Sequence, residues 1–120
     1  MGAVALAAVV AFGATTVHAQ NKCLSGKFKC VNKKAAGLLK CHEKCAKDPA
    51  KCSGVQAACE AKVVAKFDGG TKGPAAGCIG KLEVKNDGPC VTFGDLATLE
   101  AKVDAFVDDV YAELKTGLPL

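Results

Sequence analysis

The residues in this 120-residue chain with the most chemistry to offer are eight cysteines, at positions 23, 30, 41, 45, 52, 59, 78 and 90, and the histidine that follows the third of them. A Cys-His pair is the core of a thiol nucleophile, in which the imidazole takes the proton from sulfur. Cys41 and His42 are adjacent, however, and neighbours on a helix point about 100° apart and do not face one another. Cys41, His42 and Cys45 also offer ligand types that zinc accepts, provided the thiols stay reduced. Lys40-Cys41-His42 has the ending of the C-x-x-C-H haem-attachment motif, but Leu38 stands where its first cysteine belongs, which excludes the two-thioether linkage. No C-x-x-C occurs anywhere, so the thioredoxin-type redox motif is absent.

The other candidates are weaker. Ser25 and Ser53 are the only serines, and neither sits in a G-x-S-x-G setting. Asp104, Asp108 and Asp109 share a helical face, where acids are usually solvated; Ca²⁺ would need a loop. Gly69-Gly70-Thr71-Lys72-Gly73 lacks the phosphate-loop spacing and a preceding strand, and reads as linker. The expectation is a protein that is not an enzyme, with no cofactor and no bound metal.

The spacing of the cysteines points instead to cross-linking. On one helix Cys23, Cys30, Cys41 and Cys45 fall at about 0°, −20°, 0° and +40°, a single seam. Cys52 and Cys59 repeat the seven-residue step. An even cysteine count in a small exported chain favours disulfides over metal. A chain with five Phe, one Tyr and no Trp builds only a modest core, so cross-links of roughly 2–4 kcal/mol each matter, though they do not add simply.

The elements that position the seam follow from the pattern. A first helix spans about 22–47, with Cys23, Leu24, Cys30, Val31, Leu38, Cys41 and Cys45 as its apolar stripe. Gly26 and Gly37 flank the seam; they allow the approach that a disulfide demands, Cα atoms near 5.5–6 Å rather than helix axes 8–10 Å apart. Asp48-Pro49 stops this helix and starts a second, with Asp48 as N-cap and Pro49 at its first position. The second helix runs to about Phe67 and buries Cys52, Val55, Cys59, Val63 and Phe67. Gly69-Gly70 and Gly73-Pro74 end it in a flexible loop. A short helix at about 75–85 carries Cys78, Ile79 and Leu82, and Asn86-Asp87-Gly88-Pro89 forms a turn. Thr92-Phe93-Gly94-Asp95 has capping-box spacing. A last helix, 95–115, carries the stripe Leu96, Leu99, Val103, Phe106, Val107, Val110 and Leu114, ended by Gly117 and Pro119.

The short connection forces the first two helices antiparallel, which places Cys45 opposite Cys52 and Cys41 opposite Cys59. Eight cysteines allow 105 pairings; the hairpin selects these two and leaves Cys23 and Cys30 for Cys78 and Cys90, assigned here as Cys30 with Cys78 and Cys23 with Cys90.

Residues 2–19 contain no Lys, Arg, Asp or Glu and end in Val17-His18-Ala19, an A-x-A-like site that makes 1–19 a signal peptide and Gln20 the mature N-terminus. The n-region carries only the initiator amine. The alternative is an uncleaved anchor of nearly the ~20 residues a span needs, but Ala, Gly and Thr make the run weakly apolar. Residues 20–120 then form a single disulfide-rich helical domain, secreted or periplasmic, with no membrane span after cleavage.

Charge is uneven. Residues 20–85 hold 14 Lys and five acids, net +9, whereas 86–120 hold two Lys and seven acids, net −5, which together give +4. Every basic side chain is Lys, and Arg, the usual bidentate reader of phosphate and bases, is absent; no nucleic-acid partner is expected. The acidic last helix is expected to dock near the basic hairpin and partly neutralise it. Lys33, Lys34, Lys40 and Lys44, largely off the apolar stripe, are the candidate contacts to an anionic cell-surface component such as lipopolysaccharide, phospholipid headgroups or acidic polysaccharide.

Plant lipid-transfer proteins are also small, helical and eight-cysteine, but their pattern needs adjacent C-C and a C-x-C, and this chain has neither. The run from Lys29 to His42, Gly77-Cys78 with Lys81-Leu82-Glu83, and Gly94-Asp95 with 103–107 resemble segments of small secreted bacterial cysteine- and lysine-rich helical proteins of unknown function. That resemblance implies export and a helical cysteine scaffold and carries no activity. The reading as a whole is an all-α, bundle-like protein: a disulfide-stapled helical hairpin plus a short and a long helix. Its expected role is an exported, non-catalytic structural or binding protein that presents a rigid lysine-rich surface. The alternatives are a carrier of lipid or a small apolar ligand, and a thiol-redox or metal-binding protein.

Overall fold

The computed structural model describes the backbone of residues 2–86 and 90–116 and the side chains of 22–85 and 90–116. Among the described residues all regular structure is helical: α1 (Gly2–Lys47), α2 (Gly54–Asp68), α3 (Cys78–Asn86) and α4 (Leu96–Leu114), with 3₁₀ turns at Pro49–Lys51, Gly70–Lys72 and Pro74–Ala76. The turn expected at 87–89 and the stop at Gly117 and Pro119 lie outside the described residues.

α1 is the spine. It begins at Gly2 rather than near Lys22 and runs unbroken past Ala19 and Gln20. The added stretch is rich in Ala, the strongest helix former, and contains no proline. α2 lies antiparallel along the C-terminal half of α1, held by Cys45–Cys52 and Cys41–Cys59. α3 lies antiparallel along residues 26–30 of α1, held by Cys30–Cys78, and Cys23–Cys90 fixes the chain after it. The Cα–Cα distances across the four bonds are 4.5–5.8 Å. Such a close approach needs small residues beside the seam. A Cβ on Gly26 would meet Leu82 Cδ2 at 2.7 Å, and one on Gly37 would meet Val63 Cγ1 at 2.9 Å.

The joint between α2 and α3 is compact rather than a flexible loop. Gly69, at φ 88°, caps α2 in the left-handed conformation and donates its N–H to Ala65 O. Two 3₁₀ turns then fold back so tightly that Gly69 and Gly77 are buried. Asp48 does cap, accepting a bond from the Ala50 N–H at 3.1 Å, and Pro49 is the first residue, but of the 3₁₀ turn; α2 itself starts at Gly54. The Cys45–Cys52 bond, only seven residues apart, holds the connection in a tighter turn than an α-helix starting at Pro49 would make.

α4 runs parallel to α1, since Lys27 meets Asp95 and Lys34 meets Glu100 and Asp104. Two apolar clusters form between the layers. Cys30, Phe67 and Ile79 join α1, α2 and α3; Leu38, Val103 and Val107 join α1 and α4, with Val63 and Val64 of α2 against them. The apolar stripes are narrower than their sequence suggests. Leu24 on α1, Val55 on α2, and Phe106 and Leu114 on α4 are exposed, because no neighbour covers the outer edges of these stripes. Four disulfides are the chemistry of an oxidising, extracytoplasmic compartment. Among the described residues, no helix is long and apolar enough to cross a membrane.

Candidate functional site

α1 carries eight lysines between Lys22 and Lys47. Their positions on the helix sort them into two sets. Lys27 and Lys34 fall at roughly +40° and +20° from Cys23, within the cysteine seam itself. Lys22, Lys29, Lys33, Lys40, Lys44 and Lys47 fall between roughly −60° and −120°, on one side of it.

The seam lysines turn inward and are neutralised. Lys27 is buried, and its Nζ donates to Glu83 Oε2 at 2.8 Å, Asp95 Oδ1 at 2.9 Å, Thr92 O at 2.8 Å and Thr92 Oγ1 at 3.2 Å. Burial alone would lower its pKa, but the bonds and charges of Glu83 and Asp95 outweigh that and hold the ammonium above its ordinary value. Asp95 shows the counterpart: burial opposes its charge, yet the Thr92 hydroxyl, which donates to Oδ2 at 2.6 Å, and Lys27 bring the carboxyl down to about 2. The expected capping box is therefore absent. Thr92 binds the Asp95 carboxylate instead of a backbone N–H, and Asp95 at the head of α4 is recruited by Lys27.

Lys34 has no side-chain exposure and sits 3.1 Å from Glu100 Oε2 and 3.0 Å from Asp104 Oδ1, with its Nζ 5.0 Å from the centre of the Phe67 ring. Neither Lys34 Nζ nor Glu100 Oε2 reaches hydrogen-bond geometry, so charge rather than directed bonding holds that contact. Burial and the neighbouring Asp68 carboxylate push Glu100 up, against the opposing pull of Lys34. Lys34 is thus not a surface contact. It is the cation that docks the acidic helix, the neutralisation that the uneven charge implied.

The other six lysines of α1 are all exposed, along about 38 Å of helix. Lys33, Lys40 and Lys44 keep the surface place expected of them; Lys22, Lys29 and Lys47 join them. Among the described residues only Lys47 of this set has an ion pair, an exposed contact of 3.2 Å with Glu43. Helical spacing from the cysteine seam was the signal that separates the two sets; counting lysines hides it.

The Cys41–His42 arrangement is not a catalytic pair. Cys41 is bonded to Cys59 and Cys45 to Cys52, so neither sulfur is a thiolate for zinc or for attack. His42 is not simply solvated: it stacks on Tyr111 of α4, ring centres 4.1 Å apart. Its Nδ1 lies 3.0 Å from Gln56 Nε2, and its Nε2 lies 3.6 Å from Glu60 Oε2, so it joins α1, α2 and α4.

On the opposite side of α1 from the lysine row, an open groove of about 450 Å³ runs between α1 and α4. Its walls are Leu24, Phe28 and Val31 on one side and Leu99, Val103 and Phe106 on the other. No protein-family model, no curated protein and no solved structure matches the chain.

Proposed function

We propose that this is an exported, non-catalytic binding protein of the periplasm or cell exterior that docks on anionic surfaces of the bacterial cell envelope through the lysine row of α1. The observation that carries this reading is the division of the α1 lysines. Two are buried against the acids of α3 and α4, and six stay exposed on one side of a helix cross-linked at four points. Cross-linking holds the row straight, so contact with a surface costs little ordering of the backbone. Lysine, a compact hydrated point charge, suits a diffuse anionic surface better than a site built for one bidentate group. On an anionic bilayer each such lysine contributes about 1 kcal/mol, so a row of six gives a firm but salt-sensitive attachment.

In this reading residues 1–19 are a signal peptide cleaved after Ala19. Gln20, Asn21 and Lys22 would then form the first turn of α1, and the lysine row would begin at the mature N-terminus. Binding to vesicles of phosphatidylglycerol and phosphatidylcholine, compared with phosphatidylcholine alone across a salt series, tests the reading.

A further inference from the structure

We infer that the groove between α1 and α4 is a ligand site for a single-chain anionic amphiphile, its tail along Leu24, Phe28 and Leu99 and its head group at Lys102. The inference is independent of the lysine row, which lies on the other side of α1.

The groove is made for an apolar guest. Leu24, Phe28 and Phe106 are 42%, 63% and 53% exposed although they line a concave surface. A volume of about 450 Å³ lies within the usual range for small-molecule sites, roughly 300–1,000 Å³. Phe93, half exposed, stands close to the Leu24 end, with its ring centre 5.9 Å from Lys27 Nζ. The groove is thus apolar and aromatic at its Leu24 end.

The polar lining groups fix the sign of the guest. Lys27, Asp95 and Thr92 reach the groove but are occupied with one another. That leaves Asn32 and Lys102, on opposite walls, without a hydrogen bond or ion pair to another described residue. Because α1 and α4 run parallel in register, with Lys34 opposite Glu100 and Asp104, these two side chains face each other across the groove, with Leu24 and Phe28 towards one end and Phe106 towards the other. A cation and an amide facing each other part-way along the groove, with the apolar Leu24–Phe28 stretch leading away from them, match an anionic head and an alkyl tail. A fatty carboxylate and a lysophosphatidic acid share that chemistry.

The test is calorimetric titration of the full disulfide-bonded protein with saturated fatty carboxylates of increasing length, each kept below its micelle concentration. Affinity is expected to rise about fourfold per methylene until the groove is filled, the transfer free energy of a buried CH₂. K102Q, an exposed change that leaves the fold intact, is expected to weaken carboxylate binding roughly fivefold and to leave the alcohol of the same length unchanged. F28S should weaken both. A parallel series of lysophosphatidic acids assigns the head group to phosphate or to carboxylate, whichever binds more tightly at equal length. Affinity that does not depend on chain length, equal affinity for alkyltrimethylammonium ions, or carboxylate affinity unmoved by K102Q would each overturn the inference.

Discussion

The Lys34 ammonium, with no exposure of its side chain, lies 3.1 Å from the Glu100 carboxylate across the contact between α1 and α4. This contact explains how a basic and an acidic half coexist in one small domain. It also sets the reach of the lysine row, because a lysine spent on docking is not available to a surface.

Removing one partner of a buried pair leaves the other uncompensated, typically at about 3–5 kcal/mol. K34M is expected to fall near the lower end, since Asp104 is half exposed and its charge is partly solvated once Lys34 is gone. Replacing both groups, as K34M/E100M, should recover most of the loss. Chemical denaturation of the two variants against the parent checks this; equal losses in both would show that the pair does not govern docking.

The two inward clusters respond to acid in opposite ways. Asp95 has its pKa lowered from 3.8 to about 2 in the folded protein, so it contributes stability that is fully present above pH 3.8 and lost as the pH falls towards 2. Glu100 has its pKa raised, so the folded state binds its proton more readily and gains stability as pH falls towards the ordinary value of 4.5. D95N should flatten the fall in stability between pH 4 and 2, and E100Q should remove the gain above it. Lys27 adds an alkaline limb: its contribution is intact below pH 10.5 and lost as the pH rises through its raised value. Thermal melts across pH measure all three.

The seam glycines should not be equally tolerant of a methyl group. At Gly37 the added Cβ meets a β-branched Val63 with little freedom at χ1; at Gly26 it meets the ends of a more adaptable Leu82. G37A is expected to lose about 1–2 kcal/mol, overpacking outweighing the helix propensity gained, while G26A stays near neutral. Denaturant midpoints decide between this order and the reverse.

The four cross-links close loops of very different size. Chain entropy gives the Cys30–Cys78 bond, across 48 residues, about 4 kcal/mol, and the Cys45–Cys52 bond, across seven, about 2 kcal/mol. Replacing each pair by alanines and comparing melting temperatures should therefore show the larger fall for Cys30 and Cys78.

Much of this architecture was legible because disulfides impose strict geometry. A seven-residue cysteine step on an antiparallel hairpin leaves few alternatives for Cys41, Cys45, Cys52 and Cys59, and Gly26 and Gly37 beside the seam could be read as close contacts. α4 was legible from its stripe, though Phe106 and Leu114 proved exposed: periodicity shows a face and not how much of it a neighbour covers. The turn at Pro49–Lys51 and the compact Gly69–Gly77 joint were missed because tertiary contacts shape them. Lys27 and Lys34 were missed because a charge on an apolar seam looks like noise until its partner is known, and Glu83, Asp95 and Glu100 are more than fifty residues away. The groove had no signature beyond the apolar residues that line it.

The most direct test of the lysine row is co-sedimentation of the parent protein and K33Q/K40Q/K44Q with phosphatidylglycerol-containing vesicles at low salt. Each lysine contributes about 1 kcal/mol at such a surface, so the triple variant is expected to bind roughly a hundredfold more weakly. The parent should lose its binding as salt rises and show none to neutral vesicles. Binding by the triple variant equal to that of the parent, or no parental binding at low salt, would contradict the account.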